Sequence, residues 1–170
     1  MFAVFNCLVT QHDYRLVLAA GLVSVIACIA TFKLYRRAVE DHGVVRMGWL
    51  LLTAVCAGSG IWATHFVAVL SYDAGVPVGY DLELTITSLM LAILFCGLGF
   101  GLSMRREGHI CAVLGGAIVG AGIGIMHYTG MQALVVPGRI TWDHALVTAS
   151  IVLGCSLAAA AVVAYDAIRK

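Results

Sequence analysis

Charged side chains are scarce in this sequence. Only 11% of its 170 residues are Asp, Glu, Lys or Arg, whereas 62% are hydrophobic, and the mean hydropathy is +1.00. Because soluble domains are about one quarter charged and roughly half apolar, this composition excludes a water-soluble globular protein.

The few charges leave five long uncharged stretches, which are Leu16–Phe32, Met47–Tyr72, Leu84–Met104, Ile110–Gly138 and Ala145–Tyr165. About 20 residues of helix cross a hydrocarbon core of roughly 30 Å, so each stretch is long enough to span a lipid bilayer. We therefore predict an all-α, polytopic bundle of five transmembrane helices over residues 16–34, 47–70, 84–104, 110–136 and 145–165. No room remains for a soluble catalytic domain.

Several other features are missing. Apart from Arg15 at its edge, no basic residue precedes the first predicted span, so the start of the chain does not resemble a removable signal peptide. None of the six cysteines forms a Cys-x-x-Cys pair, and four lie in the middle of predicted spans, which indicates packing and not a disulfide framework. No Ser/His/Asp grouping, phosphate-binding loop or carboxylate pair occurs, so we do not expect an enzyme.

Lysine and arginine are divided unevenly between the two sides of the predicted bundle. Eight of the ten follow the first, third and fifth spans, namely Lys33, Arg36, Arg37, Arg46, Arg105, Arg106, Arg169 and Lys170. The other side carries only Arg15 and Arg139. Because short loops rich in basic residues stay in the cytoplasm, we predict an outer N-terminus and a cytoplasmic C-terminus. The net charge of +1 says nothing about nucleic acid, but no basic patch exceeds a membrane-surface anchor, so no nucleic-acid partner is expected.

Two predicted spans carry the same pattern. Residues 58–66 read GSGIWATHF and residues 120–128 read GAGIGIMHY, so the glycines, an isoleucine, the histidine and an aromatic residue coincide. Equivalent residues of the two copies, such as His65 and His127, are 62 residues apart, and we call this constant difference the repeat offset. It covers two spans, so both copies cross the membrane in the same direction. The repeat is therefore parallel.

This repeat places His65 and His127 at matched depth near the outer ends of their helices. An unpaired polar group in hydrocarbon costs several kcal/mol, so each imidazole requires a partner, either an interhelical hydrogen bond or a bound ligand. Two histidines at equivalent positions favour a binding site. Met131 lies one turn after His127, and Met126 precedes it. Imidazole with thioether is a soft ligand set that favours copper, especially Cu(I).

Weaker candidate ligands are Met90 on the third span and His12 and His144 at the outer ends of the first and fifth spans. The alternatives are core packing for the methionine and an interfacial polar role for the histidines.

A further expectation concerns the glycines of the second and fourth spans, Gly58, Gly60, Gly116, Gly120 and Gly124. Small residues permit close backbone contact in lipid, so we expect them to bring these two spans together.

The segment Met126–Met131, MHYTGM, resembles the signature of the MHYT family of bacterial integral-membrane sensor domains. Gly120–Gly124, Gly60–Trp62, His65 with Phe66, and His12 with Asp13 match the family as well. The resemblance implies copper held by Met and His near the outer face and sensing of a diatomic gas (O2, CO or NO) or of redox state. It also implies location in the bacterial inner membrane and output through cytoplasmic GGDEF and EAL domains, which make or degrade cyclic di-GMP.

The chain departs from the family pattern in two places. Thr64 and Val69 stand where the first family motif has methionine, so His65 carries over as a ligand and these two residues do not. The family also has a third motif on a sixth span, expected near position 189. The resemblance therefore implies that the chain lacks the final spans of the family.

Three functions remain open from the sequence. The first is the copper sensor. The second is a membrane electron-transfer subunit with haem held by one histidine from each of two helices, which a strong Soret band would identify. The third is a metal-free, transporter-like module, although the uncharged stretches offer no Asp, Glu, Lys or Arg to couple ions or protons.

Overall fold

Five long helices make up most of the chain. The structure, a computed structural model, describes residues 11–73, 75–105, 109–138 and 140–169, without the side chain of Arg169. Its helices are α1 (Tyr14–Glu40), α2 (Gly43–Leu70), α3 (Leu82–Ser103), α4 (His109–Gln132) and α5 (His144–Arg169). All five are long and apolar enough to cross a membrane. The predicted all-α, five-span membrane protein is confirmed, and Arg106, Arg139 and Lys170 lie outside the described residues.

Helix α4 ends earlier than the sequence predicted. It stops at Gln132, before the expected boundary at position 136, because Leu134–Val135 forms a short strand, β2. This strand pairs antiparallel with β1 (Gly79–Tyr80), with Tyr80 opposite Leu134. Uncharged residues therefore continue past the end of the helix into the loop. We call this end of the bundle the sheet end and the opposite end, which carries Lys33, Arg36, Arg37, Arg46 and Arg105, the basic end.

Each odd-numbered helix begins at the sheet end with an aspartate cap. The Oδ1 atoms of Asp13, Asp81 and Asp143 accept hydrogen bonds at 2.8 Å from a backbone N–H in the first turn of α1, α3 and α5. An aspartate cap satisfies one of the free N–H groups at a helix start, and its charge suits the helix dipole. Asp81 and Asp143 are separated by the repeat offset, so the repeat includes these caps.

Backbone hydrogen bonds join the sheet end in a repeated way. The N–H of Asp13 donates to the carbonyl of Ser71 at 2.8 Å, and the N–H of Asp81 donates to that of Ala133 at 2.8 Å. Ser71 and Ala133 are again separated by the repeat offset. The residue before α1 is thus hydrogen-bonded to the residue after α2, and the residue before α3 to the residue after α4. Both α2 and α4 end at this joined surface, so their histidines lie just beneath it.

Successive helices pack against each other along their length, whereas α2 and α4 have few contacts. Within the described residues, α1 and α5 are the two ends of this arc and meet near the basic end. There the Phe32 and Tyr165 rings lie 4.8 Å apart, and the Tyr165 hydroxyl donates to the Phe32 carbonyl at 3.2 Å. The buried core is centred nearby, on Tyr35 and Phe100, whose rings lie 5.1 Å apart.

The glycines of α2 pack against the helices on either side of it. A Cβ on Gly58 would lie 2.6 Å from the backbone nitrogen of Ile93 in α3. One on Gly60 would overlap the Cβ of Ala27 in α1. These glycines therefore allow α2 to pack closely between α1 and α3, the helices that precede and follow it in the sequence.

The glycines of α4 face α5. A Cβ would lie 2.5 Å from the Cα of Ala159 if placed on Gly116, and 2.5 Å from the Cα of Cys155 if placed on Gly120. At Gly124 the nearest atom is an α5 side-chain carbon at 3.6 Å, an ordinary contact. The expectation that the five glycines bring α2 and α4 together is therefore wrong. Helices joined by short loops pack first with their sequence neighbours, and the small residues lie at those contacts.

Substitution of Gly120 by alanine tests this packing. The added methyl group would meet the α5 backbone, so we expect the free energy of unfolding in detergent to fall by about 1–3 kcal/mol. The control is Gly21→Ala in α1, where nothing lies within 4 Å of the added Cβ. This change should leave stability unaltered or raise it, because alanine favours helix. Equal unfolding curves for the two variants would contradict the tight α4–α5 contact.

Candidate functional site

The two histidines of the sequence repeat meet in the structure. The Nδ1 atoms of His65 on α2 and His127 on α4 lie 3.2 Å apart, and the ring centroids are 4.9 Å apart at 80°. Two neutral imidazoles in this arrangement form one hydrogen bond, in which one Nδ1–H donates and the other Nδ1 accepts. Because α2 and α4 have few other contacts, this histidine pair is the main polar connection between the two motif helices in the described residues.

The other ring nitrogen of His65 is buried against α4. Within the described part of the chain, neither His65 Nε2 nor the neighbouring Thr64 Oγ1 has a hydrogen-bond partner. His65 Nε2 remains unpaired in either tautomer, as an N–H without an acceptor or as a lone pair without a donor. A buried polar atom left in this way costs about 1–3 kcal/mol, which a bound group can recover.

Gly130 makes this position of His65 possible. A Cβ on Gly130 would lie 2.7 Å from His65 Nε2 and 3.1 Å from its Cδ2. The glycine of the second motif thus accommodates the histidine of the first. This role of Gly130 was not predicted from the sequence. The repeat does indicate that this position is special, because the first copy has Ala68 there and only the second copy has a glycine.

Met126 and Met131 lie on opposite sides of the histidine pair. Met126 is 1% exposed and lines a cavity of about 460 Å³ together with both histidines. We call this the inner cavity. Met131 is half-buried and lines a second cavity, of about 740 Å³, which also reaches both histidines from the sheet end. We call this the outer vestibule. The histidine pair therefore lies between the two cavities, with one thioether side chain lining each of them.

The weaker candidates have different positions. His12 is half-buried and lines the outer vestibule, with its ring 5.2 Å from that of Tyr72. His144 is exposed at the start of α5 and lines neither cavity. Met90 is 52% exposed on α3 and likewise lines neither. Its exposed position supports neither a ligand role nor the core-packing alternative, and Met90 is an apolar surface residue of α3.

Aromatic contacts hold both motif helices at the sheet end. The Phe66 ring lies 5.9 Å from that of Tyr80, and the Tyr128 ring lies 5.2 Å from that of Trp142. Tyr80 and Trp142 are separated by the repeat offset, and each precedes a capping aspartate. Burial raises the pKa of Tyr80, so its hydroxyl stays neutral beside the vestibule. Phe66 and Tyr128, the residues after the two histidines, thus pack against the segments that lead into α3 and α5.

Two serines anchor the same helices more deeply. The indole N–H of Trp62 donates to Ser88 Oγ on α3 at 3.2 Å, and the hydroxyls of Tyr128 and Ser150 on α5 lie 2.7 Å apart. Ser88 and Ser150 are also separated by the repeat offset. The contacts of these serines and of the paired aromatic residues were not predicted, although the repeat offset relates their positions in the sequence.

The donor set at the histidine pair is uncharged and soft. In the described residues, no three His, Cys, Asp or Glu side chains are grouped in a way that could hold a metal ion. A metal at this level would therefore need the methionine sulfurs beside the two imidazoles. Such a set suits Cu(I) and is unsuited to hard cations such as Mg²⁺ or Ca²⁺.

Comparison with known proteins identifies a family match. Residues 58–116 and 120–169 each match the family model described as MHYT, bacterial signalling protein N terminal repeat. The starts of the two matches differ by the repeat offset that also relates the structural contacts. No solved structure matches the chain.

Similar proteins are much longer than this chain. It is 45% identical over 161 residues to an uncharacterized signaling protein of Caulobacter vibrioides, covering 95% of this chain and 20% of that protein. It is 32% identical to the bifunctional diguanylate cyclase/cyclic di-GMP phosphodiesterase MucR of Pseudomonas aeruginosa, covering 91% and 23%. It is 34% identical to the cyclic di-GMP phosphodiesterase NbdA of the same species, covering 99% and 21%. The chain spans about one fifth of these relatives.

Substitution of Gly130 by alanine should separate the histidine pair. The new methyl group would displace the His65 ring, so the hydrogen bond to His127 should be lost. In chelator-treated protein labelled with ¹⁵N-histidine, we expect the through-bond coupling between the two Nδ1 atoms to disappear. Gly124→Ala on the same helix is the matched control and should retain the coupling. Retained coupling in Gly130→Ala would show that Gly130 does not position His65.

Proposed function

The chain belongs to the MHYT family of bacterial signalling proteins, and from this premise we propose that it is the membrane sensory domain of a cyclic di-GMP signalling protein. Two relatives are named for synthesis or hydrolysis of cyclic di-GMP, and this chain corresponds to about one fifth of each. The remaining four fifths of each relative leave room, outside the membrane-spanning part, for the synthesis or hydrolysis of cyclic di-GMP after which it is named. Sensing would then belong to the five helices, and catalysis to an attached cytoplasmic domain.

The proposed sensory site is a copper centre at the histidine pair. The observation that carries it is the 3.2 Å between the Nδ1 atoms of His65 and His127. Two ligand nitrogens, each about 2.0 Å from one tetrahedral ion, lie about 3.3 Å apart, so the pair needs little movement to hold a metal. Met126 and Met131 would complete the set from the two sides. Bound copper would supply a one-electron redox centre, and O2, CO or NO would bind to it in exchange for one thioether.

Metal binding would require a change within the pair itself. Both imidazoles offer Nδ1 lone pairs only when their protons are on Nε2, so the ring that donates the hydrogen bond must change tautomer. For His65 this places an N–H against Gly130 in a buried position. The replacement of one N–H···N contact by two metal ligands alters the connection between α2 and α4, which is the proposed signal.

The signal would pass to the opposite end through α2 and α4. These helices begin at the basic end, where Arg46 of α2 donates from Nη2 to the carbonyl of Met104 at 3.2 Å. This bond joins the start of α2 to the end of α3, just before α4. A relative movement of α2 and α4 at the histidine pair would therefore be transmitted to this contact. The basic residues at this end suit a cytoplasmic position.

The haem alternative receives less support from the geometry. Two axial nitrogens on opposite sides of a haem iron lie about 4 Å apart with the macrocycle between them. The two Nδ1 atoms are closer than this and in direct contact. A haem would therefore require α2 and α4 to separate, whereas a single metal ion would not.

Copper titration of the purified full chain tests the proposed centre. We expect one Cu(I) per chain, no Soret band, and at least about tenfold weaker binding in His65→Ala and in His127→Ala, because each supplies one ligand. Met126→Leu and Met131→Leu should also weaken binding. Met90→Leu and His144→Ala are matched controls that should bind as the parent does, because neither residue lines the cavities.

Two results would contradict the copper site. One is a parent protein that binds no copper with both histidines intact. The other is unchanged affinity in the His65→Ala and His127→Ala variants, which would place any bound copper elsewhere.

The proposed orientation has its own test. Alkaline phosphatase, which is active only outside the cytoplasm, should be active when inserted after Val78 at the sheet end. It should be inactive when inserted after Arg105 at the basic end, because basic loops remain in the cytoplasm. The reverse pattern would invert the sensor and place the proposed copper centre at the cytoplasmic face.

A further inference from the structure

One side of α1 carries a continuous row of exposed residues. They follow one another at intervals of three or four, with Arg36 beside Arg37, which is the spacing of one side of a helix. We call them the exposed row of α1, and they are Leu18, Leu22, Ile26, Ile29, Lys33, Arg36, Arg37 and Glu40. The buried residues of this helix are Ala20, Thr31, Tyr35 and Ala38, which lie on its other side. The exposed row is therefore turned away from the rest of the bundle.

The exposed row does not border the gap between α1 and α5. Ser24, Ala27 and Thr31 of α1 line the inner cavity beside that gap. Thr31 and Lys33 are two residues apart, so their side chains point about 160° apart around the helix. Chain that follows Lys170 and packs in the gap would meet the cavity-lining side of α1 and would not cover the exposed row.

The chemistry of the exposed row changes at the membrane boundary. Its apolar residues, from Leu18 to Ile29, are each more than half exposed. Lys33 is the first charged residue after the uncharged stretch that begins at Leu16, and the helix rises about 26 Å between these two residues. This rise nearly equals the hydrocarbon thickness of roughly 30 Å. The basic half of the row therefore lies where acyl chains meet headgroups.

The basic half keeps a net positive charge. Lys33, Arg36, Arg37 and Glu40 line a surface cavity of about 380 Å³, which we call the basic pocket. The Nε of Arg36 donates to Glu40 Oε1 at 2.7 Å, and the structure shows no other ion pair between two described residues. Lys33 and Arg37 therefore have no carboxylate partner among them. Three cations and one anion leave a net charge of +2 on the pocket lining.

The two halves of the row together match a phospholipid. A phosphate would form charge-assisted hydrogen bonds with the ammonium and guanidinium groups of the basic pocket. The acyl chains of the same molecule would lie along Ile29, Ile26 and Leu22, which continue the row from the pocket into the hydrocarbon core. A free phosphate or an acidic protein segment would use the basic half alone. Because the pocket is positively charged, it favours a lipid with a net negative headgroup over a zwitterionic one.

We propose that the exposed row of α1 binds an anionic phospholipid, with the phosphate in the basic pocket and the acyl chains along the apolar half. Only Asp41 and His42 lie between α1 and α2. A lipid held at the end of α1 would therefore fix the start of α2, the helix that carries His65. It would set the position of this motif helix relative to the membrane surface at the basic end.

Native mass spectrometry of the metal-free full chain tests the proposal. The chain is released from detergent micelles that contain either phosphatidylglycerol, which is anionic, or phosphatidylcholine with the same acyl chains, which is zwitterionic. We expect one phosphatidylglycerol to remain bound at concentrations at which phosphatidylcholine does not. Lys33→Gln and Arg37→Gln should each weaken phosphatidylglycerol binding about fivefold, the loss expected for one cation at a membrane surface.

Two controls separate a lipid site from general attraction. Arg105 is exposed at the same end of the bundle, on the segment after α3 and outside the basic pocket. Arg105→Gln removes the same charge from the same surface and should leave the affinity for phosphatidylglycerol unaltered. Excess inorganic phosphate should not displace the lipid, because it lacks the acyl chains. Since all three substituted residues are exposed, the variants should unfold at the temperature of the parent.

Four results would overturn the proposal. Equal binding of the two lipids would remove the requirement for a negative headgroup, and equal losses in Arg37→Gln and Arg105→Gln would show attraction to the whole surface. Displacement of the lipid by inorganic phosphate would indicate a site for free anions. A parent that binds neither lipid would leave the exposed row to another occupant, such as an acidic protein segment. None of these results involves copper, so failure here is distinct from failure of the copper proposal.

Discussion

The structure depends on the pairing of two imidazoles at a depth where water is scarce. The Nδ1 atoms of His65 and His127 satisfy one another across 3.2 Å, and this contact joins two helices that otherwise have few contacts. A polar group at this depth cannot remain unpaired without a cost of several kcal/mol. The surroundings follow from this constraint: Gly130 gives His65 its space, and Met126 packs beneath the pair. In the proposed copper centre, the pair would exchange this hydrogen bond for a metal.

The sequence repeat explains how the pair is assembled. Each motif helix ends at the same surface, follows its histidine with an aromatic residue, and is anchored to a serine on the next helix, Ser88 or Ser150. The aspartate caps Asp81 and Asp143 recur at the same offset, as do the backbone acceptors Ser71 and Ala133. Equivalent anchoring brings equivalent residues to equal depth, so the two histidines meet without extensive packing between their helices.

Much of the fold and part of the site could be predicted from the sequence. The spacing of charges predicted five spans, because the hydrocarbon thickness fixes helix length, and the repeat singled out His65 and His127. The end of α4 was not predictable from hydropathy, because Leu134 and Val135 are apolar in a strand as in a helix. The glycine contacts were assigned to the wrong helix pair, because small residues indicate close packing without naming the partner. The role of Gly130 could not be predicted, since it depends on a side chain that another helix supplies.

Membership of the MHYT family connects this geometry with bacterial signalling, and the copper centre is the central claim of the proposed function. X-ray absorption at the copper edge of the loaded full chain tests it most directly. A copper centre at the histidine pair should give two nitrogen ligands at about 2.0 Å together with thioether sulfur at about 2.3 Å. A spectrum with oxygen or nitrogen ligands alone, unchanged by His127→Ala, would contradict it.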